Sequence, residues 1–151
     1  AGIEGDSASG AELAALLSAL AEVPVRLDLA FTGAVSHSGQ IMAVGGVTQK
    51  IEGFFKVCQH QRLTGTQGVI IPADNIDELM LSPAILKAVD EKQFFIYPVS
   101  RIEDAVQLLT GMQAGRRRKD GTFTRGSLYE LVDTRLERLG EYGEHAFRRR
   151  K

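Results

Sequence analysis

A serine hydroxyl and a lysine amine are the two groups in this sequence that could combine into acyl-transfer chemistry. Ser7 precedes a helix start, with Gly5 and the small Ala8 around it, so a ligand backbone could approach it closely. The unpaired amides of such a first turn carry partial positive charge that would stabilise an oxyanion. Taken alone, a serine before a helix is more often a cap than a nucleophile. To attack at neutral pH, a hydroxyl needs a base. Histidine is the default, and there are three: His37 in a turn tip, His60 beside Gln59 and Gln61 at a helix end, and His145 in the charged tail. None has an orienting acid at an obvious position, and each reads as a solvated surface residue. A lysine can serve where burial or nearby positive charge disfavours the ammonium ion. Lys50 falls in the first turn of a helix, where the macrodipole acts in that sense, between the Gly45-Gly46 bend and the apolar Ile51. From these residues alone, a solvated surface lysine is the commoner reading.

The elements that must position these groups follow from periodicity. Ser9-Gly10-Ala11-Glu12 fits a capping box and predicts a helix over 10–21, with Leu13, Leu16, Leu17 and Leu20 on its apolar stripe. After Pro24, the alternation of Val25, Leu27, Leu29 and Phe31 with more polar or smaller residues predicts a strand over 25–33. Ser36-His37-Ser38-Gly39 is turn chemistry, so residues 40–44 should return as the second arm of a hairpin. Thr48 can cap a helix over 48–61 whose Ile51, Phe54, Phe55 and Cys58 recur at helical spacing. Short strands at 68–72 and 94–99 flank a helix at 83–90, and Ser100-Arg101-Ile102-Glu103 is a second capping box opening a helix to Leu109. Helices alternating with strands predict an α/β or α+β domain, and the hairpin implies a mixed sheet.

The 151 residues, 44% hydrophobic and 25% charged, suit one globular domain with one core. A net charge of −1 conceals an asymmetry. Residues 1–114 hold 7 Lys+Arg against 13 Asp+Glu, a net −6, whereas 115–151 hold 11 against 6, a net +5. The tail contains Arg116-Arg117-Arg118-Lys119, an apolar face of Leu128, Leu131, Val132, Leu136 and Leu139, and a final Arg148-Arg149-Arg150-Lys151. The lone Cys58 excludes an internal disulfide, reads as a buried helix residue, and points to a reducing, cytoplasmic setting. No apolar run approaches the roughly 20 residues that span a bilayer, and no leader opens the chain, so a soluble protein is expected. The short run before the first helix suggests a fragment.

Glu4-Gly5-Asp6-Ser7-Ala8-Ser9, then Phe31-Thr32-Gly33, then Gly45-Gly46-Val47-Thr48-Gln49-Lys50 together resemble the proteolytic domain of Lon proteases, in its B-type variant. The similarity continues through Gly68-Val69-Ile70-Ile71-Pro72, Asn75 and residues 98–105, covering about 3–110. Several motifs in the right order are far more specific than one short pattern. Residues 51–55 and 63–68 look most like the divergent Lon homologues of gamma-proteobacteria. The resemblance implies an α+β fold of the ribosomal protein S5 domain 2-like kind, here without its amino-terminal strands, over 1–112, with 113–151 as a basic linker and amphipathic helical tail. It implies Ser7 as nucleophile and Lys50 as its partner, 43 residues apart as in the family, with Thr32 supporting near the amine and Asp6 beside the nucleophile. Asp6 could equally be a helix-entry carboxylate and Thr32 an ordinary strand residue.

The implied activity is a serine endopeptidase acting on unfolded or damaged polypeptides, in a homo-oligomer that the family builds as a six-membered ring. No cofactor or metal is expected in this chain. It has no Gly-x-x-x-x-Gly-Lys-Ser/Thr motif, so ATP and Mg would enter only through an upstream ATPase module. Two other readings compete. One keeps the fold but is inactive in isolation, because strands that complete the substrate groove lie upstream. The other is a catalytically idle interaction module whose basic tail binds nucleic acid or an acidic partner. The absence of an aromatic-rich strand weakens the latter, and salt-dependent binding lost on neutralising 116–119 and 148–151 would favour it.

Overall fold

A computed structural model describes residues 6–149. Glu4 and Gly5 of the serine motif, and Arg150 and Lys151 of the terminal basic run, lie outside the described residues. A 3-10 turn, Asp6–Ala8, leads into α1, Ser9–Ala21. Then follow β1 (Leu29–Phe31), β2 (Ala34–Val35), β3 (Ile41–Met42) and α2 (Val47–Gln61). Next come β4 (Gly68–Pro72), a 3-10 segment Ala73–Glu78, α3 (Pro83–Asp90) and β5 (Phe95–Val99). The chain closes with α4 (Ile102–Thr110) and α5 (Leu128–Arg148).

The three-stranded sheet has the order β1-β4-β5 and is wholly parallel, with Phe31 opposite Ile70 and Ile70 opposite Tyr97. The hairpin forms as predicted, Ala34 pairing with Met42 and Val35 with Ile41, but as a separate two-stranded unit. The expected mixed sheet is therefore corrected: of the run expected as one strand over 25–33, residues 29–31 pair with β4, flanked by hydrogen bonds from Gly68 N to Asp28 O (3.1 Å) and from Thr32 N to Ile70 O (3.1 Å). Residues 25–27 stay out of the sheet because Arg26 hydrogen-bonds elsewhere, its amide to Leu109 O (2.8 Å) and its guanidinium to the Asp28 carboxylate (2.8 and 2.9 Å). Leu27, expected to point inward, is consequently 93% exposed.

Parallel strands are covered on both faces, and β4 is buried at all five residues. Its alternation divides the core. Ile70 joins Ala14 of α1, Val106 and Leu109 of α4, and Leu128 of α5. Val69 and Ile71 join Ile51, Phe55 and Cys58 of α2, Ile85 of α3 and Phe94. Helices α1, α4 and α5 thus lie against one face and α2 and α3 against the other. Burial pushes the Cys58 thiol up from its ordinary value, as a structural cysteine requires.

None of the three helix caps predicted from Ser9, Thr48 and Ser100 forms. Ser9 sits inside α1, where its hydroxyl donates to Asp6 O (2.8 Å) and accepts from Val35 N (3.0 Å), tying the first turn to β2. Before α2 the cap position is Gly46, with left-handed φ 69°, and the Thr48 hydroxyl accepts instead from Met80 N (3.4 Å). Before α4 it is Arg101, whose guanidinium pairs with Glu103 at 3.3 Å. For Ser9 and Thr48, a backbone amide distant in sequence takes the hydroxyl that local geometry would have used. Ser82 and Ser127, by contrast, do cap α3 and α5.

The tail is an integral part of the packing at its start. Leu128 is fully buried beside Ala114, while Leu136 and Leu139 on the same helix are 51% and 46% exposed. The basic segment 116–119 forms one side of a small exposed turn, bridged between Arg117 and Phe123. Among the described residues no helix is long and apolar enough to cross a membrane.

Candidate active site

Three layers converge on the carboxyl-terminal end of β1. Thr32, the residue after the strand, stays in register because its amide donates to Ile70 O (3.1 Å). The turn carrying Ser7 is pinned to the same point: Gly33 N donates to Ser7 O (2.9 Å) and Gly10 N to Gly33 O (3.0 Å). That approach requires glycine, since a Cβ on Gly10 would lie 2.8 Å from Phe31 Cζ and 2.9 Å from Gly33 O. From the other face, the first turn of α2 presents Lys50, whose amine donates to the Thr32 hydroxyl at 3.2 Å.

Ser7, Ala8, Ala30, Phe31, Thr32, Lys50 and Val69 line one pocket of about 290 Å3. The structure therefore brings together Ser7, Thr32 and Lys50 of the four sequence-predicted residues. Asp6 is exposed and is not part of this lining. Thr32 is buried and Ser7 partly so, whereas Lys50 is exposed, on a helix turn open to solvent. The burial by which a lysine could serve as a base is not provided at this residue, which is exposed while its amine meets Thr32. The Gly10 amide is occupied by Gly33 O, which removes it from the set of first-turn donors that could face an oxyanion.

The three histidines are exposed, as expected, and none lines the pocket. Among the described residues no group of three or more His, Cys, Asp and Glu is placed to hold a metal ion. A larger groove of about 890 Å3, between the start of α4 and the basic turn, shares no residue with the serine pocket. In it Tyr129 is pushed up to about 12, first by burial and then by the Glu103 carboxylate beside it.

One residue that chemistry-led reading passed over is Asn75. Its side chain is 1% exposed and bonds both backbone groups of Val44, two residues before the Lys50 helix cap. The available signal was a carboxamide placed just after the all-apolar β4.

A parallel sheet with a small-residue serine turn at one strand end and a lysine delivered across it defines a class, and residues 2–111 match the Lon protease (S16) C-terminal proteolytic domain. The chain belongs to that family. It is 47% identical over 135 residues to a Lon protease homolog of Haemophilus influenzae, which covers 89% of this chain and 22% of that protein. With a Lon protease homolog of Escherichia coli it shares 51% over 110 residues, 73% of this chain and 19% of the relative. An archaeal Lon protease of Archaeoglobus fulgidus is 41% identical over 106 residues, 70% of this chain and 15% of its own. The chain thus spans about a fifth or less of the length of these relatives.

Proposed function

We propose that this chain carries the catalytic dyad of a serine endopeptidase, with Ser7 as nucleophile and Lys50 as general base. The observation that carries the reading is the shared pocket: two side chains 43 residues apart in sequence line one cavity, with the amine hydrogen-bonded to Thr32 at its wall. In the reaction the neutral Lys50 amine accepts the Ser7 hydroxyl proton as Ser7 Oγ bonds to the peptide carbonyl carbon. The lysinium then gives that proton to the leaving amine as the C–N bond breaks, and water repeats the sequence on the acyl-enzyme. A bound peptide would cover the exposed amine and displace water from it. Thr32 orients the amine through its hydroxyl, and Asp6 is proposed as a supporting group through its adjacency to Ser7.

For the whole protein we propose cleavage of unfolded or damaged polypeptides in the cytoplasm, by a six-membered ring whose ATP dependence, with Mg, resides in an ATPase module outside this sequence. The domain is proposed to share the ribosomal protein S5 domain 2-like fold. The test compares the intact protein and this chain, each beside its Ser7→Ala and Lys50→Ala variants, for turnover of an unstructured fluorogenic peptide and for labelling by a fluorophosphonate. Labelling confined to Ser7 and turnover lost in both variants is the expected result. Undiminished turnover in Ser7→Ala would remove the reading.

A further inference from the structure

The loop that delivers Lys50 has little to hold it locally. Gly45 and Gly46 are exposed, and no heavy atom lies within 4 Å of where a Gly45 side chain would begin. Gly46 takes a left-handed φ of 69° that glycine adopts without strain. The hold comes from across the molecule. Asn75 Oδ1 accepts from Val44 N (3.0 Å), and its Nδ2 donates to Val44 O (3.0 Å) and to Glu78 Oε2 (3.3 Å).

Pairing both backbone groups of one residue is what an adjacent strand would do, and Asn75 does it for the residue immediately before the glycine bend. Val44 is itself buried, so these groups have no recourse to water. The clamp is transmitted onward because Lys50 N donates to Gly46 O (3.1 Å), hanging the first turn of α2 from the clamped segment. Asn75 in turn follows β4 by three residues, and β4 also fixes Thr32 through Ile70 O. Both partners of the 3.2 Å Lys50–Thr32 contact are therefore referred to the same strand.

We propose that Asn75 is a positioning residue for the Lys50 base, holding the Gly45-Gly46 bend so that the amine meets Thr32 and the Ser7 pocket. This rests on the assignment of Lys50 made above. Misplacing a reacting group by about 1 Å costs on the order of 100-fold in rate, and a glycine bend released from its clamp has that freedom.

The test is a double-mutant cycle in the intact protein, reading peptide turnover and the rate of fluorophosphonate labelling. Asn75→Ala is expected to lower kcat about 100-fold with KM within about 2-fold in the Lys50 background. In the Lys50→Ala background it should change the residual labelling rate less than about 2-fold, because there is no base left to position. Asn75→Ser, which keeps one hydrogen-bonding atom, should fall between, and it replaces Asn75→Ala if thermal melting shows that variant to be unfolded. An equal fold-loss in both backgrounds would mark a purely structural residue and overturn the inference, as would unchanged kcat in a folded Asn75 variant. Activity surviving in Ser7→Ala or Lys50→Ala would instead indict the dyad itself.

Discussion

Replacing Gly10 with alanine separates the demands of folding from those of the site. The added methyl would stand 2.8 Å from Phe31 Cζ and 2.9 Å from Gly33 O, where ordinary carbon contacts begin near 3.5 Å. The first turn of α1 must therefore recede by about 0.5–0.7 Å, stretching the Gly10–Gly33 hydrogen bond and carrying the Ser7 turn with it. Overpacking of this kind costs about 1–3 kcal/mol, against which alanine returns up to about 1 kcal/mol of helix propensity. The net loss of stability should be about 0–3 kcal/mol, less than the roughly 5–15 kcal/mol that holds a domain folded. The catalytic loss should be larger in proportion: on the proposed dyad, a shift of about 0.5–0.7 Å between Ser7 and Lys50 predicts a fall in kcat of about 10- to 100-fold. Urea denaturation gives the first quantity, and fluorophosphonate labelling with peptide turnover gives the second. A folded Gly10→Ala protein with wild-type kcat would refute the claim that this contact sets the Ser7 position.

Three further outcomes test other parts of the structure. Thr32→Val removes the hydroxyl that receives the Lys50 amine and should lower kcat about 10-fold while KM stays within about 3-fold, measured by steady-state peptide hydrolysis. Phe94, fully buried and edge-on to Phe55 at 5.2 Å, should cost about 3–5 kcal/mol on truncation to alanine, read from the urea midpoint. Tyr129 is raised from 10.0 to about 12 in the folded chain, so the folded state holds its proton more tightly. Its contribution is fully present below pH 10 and is lost as pH rises through 10 towards 12, giving an alkaline decline in melting temperature that Tyr129→Phe should make shallower.

The helices and strands β4 and β5 were legible because their signals are local and strong. The run 68–72 is apolar throughout, and Pro83 with Ser82 before it announces α3. What local pattern could not show is where chain segments compete for one group. Ser9, Thr48 and Ser100 each have cap chemistry, yet the first two serve Val35 N and Met80 N, 26 and 32 residues away, and α4 starts from Arg101 without a side-chain cap. Alternation over 25–31 matched a strand, but the Arg26–Asp28 fork removed its first half, leaving Leu27 in water. At the site, the neighbours of Ser7 and Lys50 made them candidates but favoured a cap and a solvated lysine, and the resemblance paired them and added Thr32. Asn75 was quoted only as part of a motif, because a carboxamide's value lies in which backbone it reaches across 31 residues.

The arrangement of layers has a consequence for the timing of activity. The Ser7 turn leads into a helix on one face of the sheet and Lys50 rides a helix on the other, with Thr32 at the strand end between them. Neither half-molecule holds a competent pair. On the proposed chemistry, a nascent copy stays harmless to the open chains around it until both sides have docked, its own neighbours on the ribosome included. Completion of the fold is itself the safety catch.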